Sequence, residues 1–279
     1  QLGLRSDLLE IFRREIIRPN GMIVVTGPTG SGKTTTLYAF LKEVQSSEIK
    51  IITIEDPIEY RLEGISQTQV DPVKGYDFAS GLRAIVRQDP DVIMVGEIRD
   101  LETAEIALQA ALTGHLVFST LHANDAAGTI ARLIDLGATP PSVAAAINSV
   151  IAQRLIRKVC RKCVELKPIT ADFLEEMGRR LNKLSQNVKI PPLSRASKIP
   201  FAKGCENCNF TGYQGRLGIF EAFLVDEEME RFILKEPATG DLQIKAVEKG
   251  MITLYQDGLI RVLEGVTTME EIERVVGQE

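Results

Sequence analysis

The sequence predicts an α/β fold built on a mainly parallel sheet, with a smaller metal-binding part after residue 159. Between residues 22 and 150, short β-branched runs alternate with longer helical patterns, and the runs lack the polar alternation of half-exposed strands. A glycine-rich phosphate-binding motif at residues 27–34 lies between the first such run and a helical pattern. Two CxxC pairs then indicate a metal site in a separate module.

The individual elements follow from apolar periodicity and from capping residues. An amphipathic helix is predicted over residues 6–18, where a Pro-Asn-Gly sequence ends it. Strands are predicted at residues 22–26, 51–54, 92–95 and 116–121. Helices are predicted at residues 34–44, 77–88, 101–113, 124–137 and 170–183. Thr139 and two prolines open a further predicted helix, whose apolar side continues through Leu155.

Residues 27–34 read GPTGSGKT and match the pattern G-x-x-x-x-G-K-[ST]. Because the motif joins a predicted strand to a predicted helix, we interpret it as a phosphate-binding loop; the alternative is an ordinary glycine-rich turn. Lys33 would neutralise phosphate charge, and the Thr34 hydroxyl would bind Mg²⁺. A purine triphosphate with Mg²⁺ is the expected ligand. The predicted contact residues are Gly27, Pro28, Thr29, Gly30, Ser31, Gly32, Lys33, Thr34 and Thr35.

Acidic and imidazole side chains follow the other predicted strands, where ligands bind in open parallel sheets. Glu55 and Glu59 follow the second strand, Glu97 follows the third and His122 follows the fourth. If these strands are neighbours, the side chains converge on the bound phosphates. Glu97 is the candidate for activating water, and the alternative is a structural ion pair with Arg99 or another arginine.

The remaining candidates each have two interpretations. Glu55 or Glu59 would serve the metal shell, or both are solvated loop charges. His122 would hydrogen-bond the γ-phosphate. His115 precedes its strand, which favours a structural role, but we keep it as a catalytic candidate. Two further arginines, Arg83 and Arg87, lie four apart on one helical face. They would reach a transferring phosphoryl group across a subunit boundary, or they form a solvated basic face.

The four cysteines fall as two pairs, which suits a tetrahedral zinc site with four thiolate ligands: Cys160, Cys163, Cys205 and Cys208. Residues 157–216 carry 13 Lys or Arg against 5 Asp or Glu, and this local charge of +8 would offset the thiolates. Unmetallated thiols and a redox pair are the alternatives. A closed site with four cysteines would hold structure and perform no catalysis.

The overall composition excludes several classes of protein. The formal net charge is −5, which disfavours a dedicated nucleic-acid binder. No run approaches the roughly 18 apolar residues of a membrane span, and the first residues lack signal-peptide features, so we expect a cytosolic protein.

Four segments together resemble the motifs of secretion ATPases. They are GPTGSGKTTT at 27–36, ITIEDPIEY at 52–60, RAIVRQDPDVIMVGEIRD at 83–100 and LTGHLVFSTLHAN at 112–124. In order, they resemble the Walker A, Asp-box, Walker B and His-box motifs of the motors of type II secretion and type IV pilus assembly. The paired CxxC module resembles the secretion and pilus-assembly members rather than the retraction motors.

The resemblance implies a RecA-like ATPase domain (1–156), a zinc-binding subdomain (157–216) and a C-terminal helical subdomain (217–279). It implies ATP and ADP as ligands, a homohexamer at the cytoplasmic face of the inner membrane, and a platform protein as partner. Glu97 matches the catalytic glutamate, Glu55 and Glu59 match the Asp box, and His115 and His122 match the His box. Arginines linked to activity or subunit contact in the family match Arg83, Arg87, Arg99 and Arg216.

Two departures qualify the resemblance. No aspartate stands at the usual Walker B metal position before Glu97, which leaves the metal shell to Thr34, water and an Asp-box carboxylate. Full-length family members also place another domain ahead of Leu2. We therefore expect a motor core that binds nucleotide, hydrolyses it slowly and forms a weakened hexamer.

Two other functions compete with an assembly motor. A nucleic-acid translocase of related fold would use the basic zinc module as its grip, although the chain has 5% aromatic residues and no Trp for base stacking; we expect no nucleic-acid partner. A nucleotide-gated scaffold would use Glu97 as an ion-pair residue.

Overall fold

The computed structural model describes residues 3–181, 184 and 188–277. The strands are β1 (Gly21–Thr26), β2 (Ile51–Glu55), β3 (Ser66–Gln69), β4 (Val92–Val95), β5 (Leu116–Leu121), β6 (Ile147–Val159), β7 (Val164–Pro168), β8 (Lys198–Ala202) and β9 (Tyr213–Leu224). The helices are α1 (Ser6–Glu15), α2 (Lys33–Val44), α3 (Phe78–Val86), α4 (Leu101–Leu112), α5 (Ala126–Asp135), α6 (Pro140–Ala146), α7 (Ala171–Leu181), α8 (Glu227–Ile233), α9 (Thr239–Glu248), α10 (Leu254–Leu263) and α11 (Met269–Val276).

Seven strands form one sheet in the order β3-β2-β4-β5-β1-β6-β9. Neighbouring strands are parallel except β9, which runs antiparallel to β6. The predicted α/β fold with a mainly parallel sheet is therefore confirmed. The carboxyl ends of β1, β2, β4 and β5 meet at one edge of this sheet, because these strands are adjacent and parallel.

Helices cover both faces of the sheet. One core includes Val24, Ile93 and Val117 and continues into α3, α4 and α5, whereas the other includes Ile23 and Phe118 and continues into α1 and α2. All residues of β1, β2, β4 and β5 are buried. This burial on both faces explains why their sequences are apolar without alternation.

Side-chain caps set the starts of the helices. Asp77 accepts a hydrogen bond from the Ser80 backbone N–H at 2.8 Å and forms a capping box that begins α3. Asp125 accepts from the Gly128 N–H at 2.6 Å and begins α5, one of two predicted starts. At the other end of an element, α1 ends at Glu15 and is shorter than predicted.

The prediction of one helix from Thr139 through Leu155 is wrong. Helix α6 ends at Ala146, and the next residues form the 13-residue strand β6 between β1 and β9. A strand buried on both faces has no polar alternation, so its apolar residues also fit the spacing of a helix face. Burial between two strands favours the β conformation for the β-branched residues Ile147, Val150 and Ile151.

The cysteine-containing part lies in the chain between β6 and β9, the last two strands in the order of the sheet. Strands β7 and β8 form an antiparallel pair, and α7 lies within the predicted helix 170–183, of which residues 182 and 183 fall outside the described residues. Strands β6 and β9 continue across the predicted boundaries at 156/157 and 216/217. The division into three subdomains stays a prediction. No described helix is long and apolar enough to cross a membrane.

Candidate active site

A cavity of about 660 Å³ opens at the carboxyl ends of the parallel strands, and we call it the strand-end cavity. It brings together residues that lie far apart in the sequence. Its lining includes Thr29, Gly30, Gly32, Lys33, Thr34, Thr35, Glu55, Asp56, Glu59, Glu97, Arg99, Thr120, His122, Leu155 and Arg216. The structure thus gathers Lys33, Glu55, Glu59, Glu97 and His122 at one edge of the sheet, as the sequence predicts.

The phosphate-binding loop has a backbone shape that demands its glycines. The φ angles of Gly27, Gly30 and Gly32 are +147°, +78° and +90°, a region that residues with a side chain rarely adopt. A Cβ on Gly32 would also come within 2.9 Å of the Gln153 side-chain nitrogen. Within the loop, the buried Ser31 Oγ has no hydrogen-bond partner among the described residues. This loop at the start of α2 fits a bound polyphosphate.

Lys33 folds back over the loop. Its Nζ donates hydrogen bonds to the backbone oxygens of Gly27 at 2.8 Å and Pro28 at 3.2 Å. Burial lowers the pKa of the Lys33 ammonium, Arg154 lowers it further, and the Glu97 carboxylate opposes both. The Glu97 carboxylate and the Lys33 ammonium therefore lie in the same region of the strand-end cavity. Thr34 also lines this cavity, where a ligand can reach it.

The backbone around Glu97 is fixed between two strands. The Gly96 N–H donates to the Ile54 oxygen at 2.8 Å, and the Gly96 oxygen accepts from the Thr120 hydroxyl at 2.7 Å. A Cβ on Gly96 would lie 3.2 Å from the Ile54 oxygen, which is tighter than ordinary packing. Glycine at this position lets β4 continue close to β2 and deliver Glu97 to the cavity.

The Glu97 carboxylate has two basic neighbours. It forms an ion pair with Arg99, and its Oε2 lies 3.3 Å from the His122 Nε2. Arg99 also lies 3.6 Å from a carboxylate oxygen of Asp56. The side chain of Glu97 is 17% exposed, so it remains accessible to a ligand or water. Both sequence interpretations of Glu97 therefore have a geometric basis, because the carboxylate is paired and also faces the cavity.

The two Asp-box glutamates differ in their surroundings. Glu55 is 2% exposed and accepts hydrogen bonds from the Tyr38 hydroxyl, the Thr53 hydroxyl at 2.6 Å and the Gln67 amide at 3.0 Å. Glu59 is exposed on the same cavity wall. Because protein donors already occupy the oxygens of Glu55, Glu59 is the better placed of the two for a metal shell.

Three of the predicted catalytic residues lie away from the strand-end cavity within the described chain. His115 is half-buried at the start of β5, where its Nδ1 lies 3.0 Å from the Ala110 oxygen, at the opposite end of the strand from His122. Arg83 is exposed on α3 and pairs with Glu102, and Arg87 is exposed just after α3. Roles for these three residues in catalysis stay predictions.

Strand β6 contributes residues that the sequence analysis did not single out. The Gln153 side-chain oxygen accepts from the Thr36 hydroxyl at 2.7 Å, and Arg154 donates to the Asn124 oxygen. Both contacts arise because β6 lies beside β1. They could not be predicted while this segment was interpreted as a helix. The β-branched run at residues 147–151 is the sequence signal that could have indicated a strand.

The sulfur atoms of Cys160, Cys163, Cys205 and Cys208 lie within 4.8 Å of one another, as the paired spacing predicts. Two of the Sγ···Sγ distances are 3.8 Å, between Cys163 and Cys208 and between Cys205 and Cys208. Tetrahedral zinc with bonds of about 2.3 Å requires sulfur atoms about 3.8 Å apart. Backbone N–H groups of Cys205 and Gly212 also point at the Cys208 sulfur, each at 3.2 Å. This donor set fits a structural zinc ion.

A comparison with protein families identifies the family of this chain. The profile of the family described as "Type II/IV secretion system protein" matches residues 1–274. The chain belongs to this family. It is 49% identical over 274 residues to the "Type II secretion system ATPase E" of Vibrio cholerae, covering 98% of this chain and 52% of the relative. It is 46% identical over 272 residues to the "Type IV pilus assembly ATPase PilB" of Thermus thermophilus, covering 97% of this chain and 29% of the relative.

The fold of the chain is also similar to that of a solved structure. The chain superposes on the structure described as "Pilus Retraction Motor PilT and Bound ADP" with a TM-score of 0.68 at 31% identity, covering 98% of this chain and 65% of that one. It spans about half the length of the type II relatives that it matches. The fold and the family are therefore those that the four motifs predict.

Proposed function

We propose that this chain hydrolyses ATP, and that hydrolysis drives the assembly of pilin-like subunits in type II secretion or type IV pilus formation. One observation carries the proposal: Lys33 of the phosphate-binding loop and Glu97 line the same strand-end cavity. The relatives named as ATPases of these two machines support it.

In this proposal, the loop binds and Glu97 acts on water. Backbone N–H groups of residues 29–34 and the Lys33 ammonium hold the phosphates. Mg²⁺, when bound at the Thr34 hydroxyl, supplies charge neutralisation on the β- and γ-phosphates. Glu97 orients the attacking water and accepts its proton, and His122 hydrogen-bonds the carboxylate or the γ-phosphate. For this to happen, Arg99 releases Glu97 and pairs with Asp56 or the nucleotide.

The proposed cellular setting rests on the same relatives. The chain acts in the cytoplasm, at the inner membrane through a platform protein, and within a homohexamer. Exposed Arg216 on the cavity wall and the exposed pair Arg83 and Arg87 are available for contacts between subunits. Sedimentation would show mass rising when an ATP analogue is added; a tight hexamer in its absence would contradict nucleotide-dependent assembly.

A second candidate, a nucleotide-gated scaffold, draws on the ion pair between Glu97 and Arg99. In that case the pair is structural, and any ATP turnover does not depend on the Glu97 carboxylate. The two functions differ in what the Glu97 carboxylate does, so one substitution separates them.

The test is single-turnover ATP hydrolysis at high protein concentration, beside nucleotide binding. We expect Glu97→Gln to retain binding and lower the hydrolysis rate by at least about 100-fold. Lys33→Ala should lose binding. Lys42→Ala, on the same helix, and Glu248→Gln, exposed on α9, are matched controls that should change neither quantity. An unchanged rate in Glu97→Gln would overturn the motor in favour of the scaffold.

A further inference from the structure

Arg154 lies beside the phosphate-binding loop but outside the wall of the strand-end cavity. Its guanidinium is half-buried and so close to the loop that a Cβ on Gly27 would lie 3.2 Å from Nη1. Among the residues that the structure describes, the cavity lining includes its neighbour Leu155 and not Arg154. The guanidinium donates instead to two backbone oxygens, those of Gln153 at 3.1 Å and Asn124.

The Asn124 oxygen belongs to the connection between β5 and α5, which also carries His122. Three side chains from other elements hold this connection. The Thr26 hydroxyl accepts from the Ala123 N–H at 2.8 Å, Arg154 holds the oxygen of the next residue, and Glu221 accepts from the Ala126 N–H at 2.8 Å. The backbone that follows His122 is therefore held at three points, the Ala123 N–H, the Asn124 oxygen and the Ala126 N–H.

The fixed backbone matters because His122 is not fixed by packing. Its side chain is 53% exposed, yet its Nε2 lies 3.3 Å from the Glu97 carboxylate. An exposed imidazole keeps such a position through its backbone and its polar contacts. Of the three anchors, Arg154 is the cation, and it holds the oxygen of Asn124, two residues after His122.

Glu221 strengthens the anchor from the opposite side. It is 2% exposed, and its second oxygen accepts from the Leu254 N–H at 3.2 Å, so one carboxylate meets the first turns of both α5 and α10. The Arg154 guanidinium interacts electrostatically with this carboxylate. Arg154 and Glu221 thus join the β5–α5 connection to β6 and β9.

We propose that Arg154 is a positioning residue for ATP hydrolysis, which holds the Asn124 oxygen so that His122 stays against Glu97. The inference rests on the proposed hydrolytic function. It assigns Arg154 no contact with the nucleotide: the arginine acts through the backbone of the connection, and its loss slows the reaction without weakening nucleotide binding.

The position of His122 can be read without any turnover. The chain contains two histidines, His115 and His122, so an NMR spectrum of labelled imidazoles contains two sets of signals. We expect Arg154→Gln to move the His122 signals and leave those of His115, which lies at the other end of β5. Lys158→Gln is the matched control on the same strand, because that lysine is exposed. Movement of both histidines, or of neither, would overturn the inference.

Kinetics then separate an indirect role from a direct one. Arg154→Gln should lower kcat about 10- to 100-fold with unchanged nucleotide affinity, and Arg154→Lys should recover part of the loss. In a His122→Ala background, Arg154→Gln should cause no further loss, because both changes remove the same interaction. The inference would be overturned if the losses in kcat caused by the two substitutions multiplied in the double variant. It would also be overturned if nucleotide affinity fell together with kcat, because that would show direct contact between Arg154 and the nucleotide.

The two proposals fail in different ways. Absence of hydrolysis by the unsubstituted chain would count against the proposed function, while the imidazole signals would still decide whether Arg154 positions His122. If Arg154→Gln does not fold, Arg154→Lys retains the charge and one donor, and its smaller displacement of the His122 signals decides the same question.

Discussion

The hydroxyl of Tyr38 on α2 donates a hydrogen bond to the buried carboxylate of Glu55 at the end of β2. This contact links the helix that follows the phosphate-binding loop to the strand that begins the Asp box. Burial raises the pKa of the Tyr38 phenol, and the Glu55 carboxylate raises it further, so the hydroxyl stays a donor at any physiological pH. The link explains why Glu55 lies on the cavity wall with its oxygens already engaged.

Removing this hydroxyl should destabilise the protein. We expect Tyr38→Phe to lower the free energy of unfolding by about 1–3 kcal/mol, because a buried carboxylate loses a donor. Urea denaturation measures the change. Tyr60→Phe is the matched control, since that ring packs edge-to-face on Tyr38 but the residue is 49% exposed. Equal stability of the two variants would contradict a structural role for the hydrogen bond.

The four cysteines should bind one zinc ion per chain, measurable by elemental analysis. Chelation should increase hydrogen exchange near Cys160 and Cys208 and leave ADP affinity unchanged, because the closed site has no open coordination position and lies outside the strand-end cavity. Adding zinc back is the control and should restore protection. A metal-free purified protein, or ADP binding that disappears with the metal, would contradict a purely structural site.

Glu271 predicts a specific loss of stability in acid. Burial alone would raise the pKa of this carboxyl, but hydrogen bonds from Arg274 and Arg157 outweigh it and lower the pKa to about 2. The pKa of this carboxyl is lower in the folded protein than its ordinary value of 4.5 in the unfolded chain. The ionised carboxylate therefore stabilises the folded protein at pH values above 4.5, and this contribution disappears as the pH falls toward 2. Its size is about 3 kcal/mol.

Glu271→Gln should therefore lower the stability at pH 7 and flatten the acid limb of a plot of stability against pH. Denaturant unfolding between pH 7 and pH 3 measures both effects. Glu270→Gln is the control, because that glutamate precedes Glu271 on the same helix and is exposed. An unchanged acid limb in Glu271→Gln would show that other groups control the acid response.

The parts of the site that depend on local spacing could be predicted from the sequence. The phosphate-binding loop, the glutamate at the end of β4 and the two cysteine pairs all follow from residues that are close together in the chain. Their convergence also followed, because adjacent parallel strands end at one edge. Contacts between distant segments could not be predicted in the same way: the partners of Glu55 come from α2 and β3, and the anchor of His122 comes from β6.

The one wrong element shows the physical limit of periodicity. Val143, Ile147, Val150 and Leu155 fit one side of a helix, and they fit equally a helix followed by a strand buried on both faces. Only pairing with β1 and β9 distinguishes the two, and pairing is a property of the fold. Arg154 and Gln153 were missed for this reason.

A structure with a bound non-hydrolysable ATP analogue and Mg²⁺ would show whether Glu97 acts on the attacking water. We expect the triphosphate on the loop of residues 27–34, and a Glu97 carboxylate oxygen within about 3 Å of a water in line with the γ-phosphate. The contradicting result is a γ-phosphate bound in the loop while Glu97 stays paired with Arg99, with no water between the carboxylate and the phosphate.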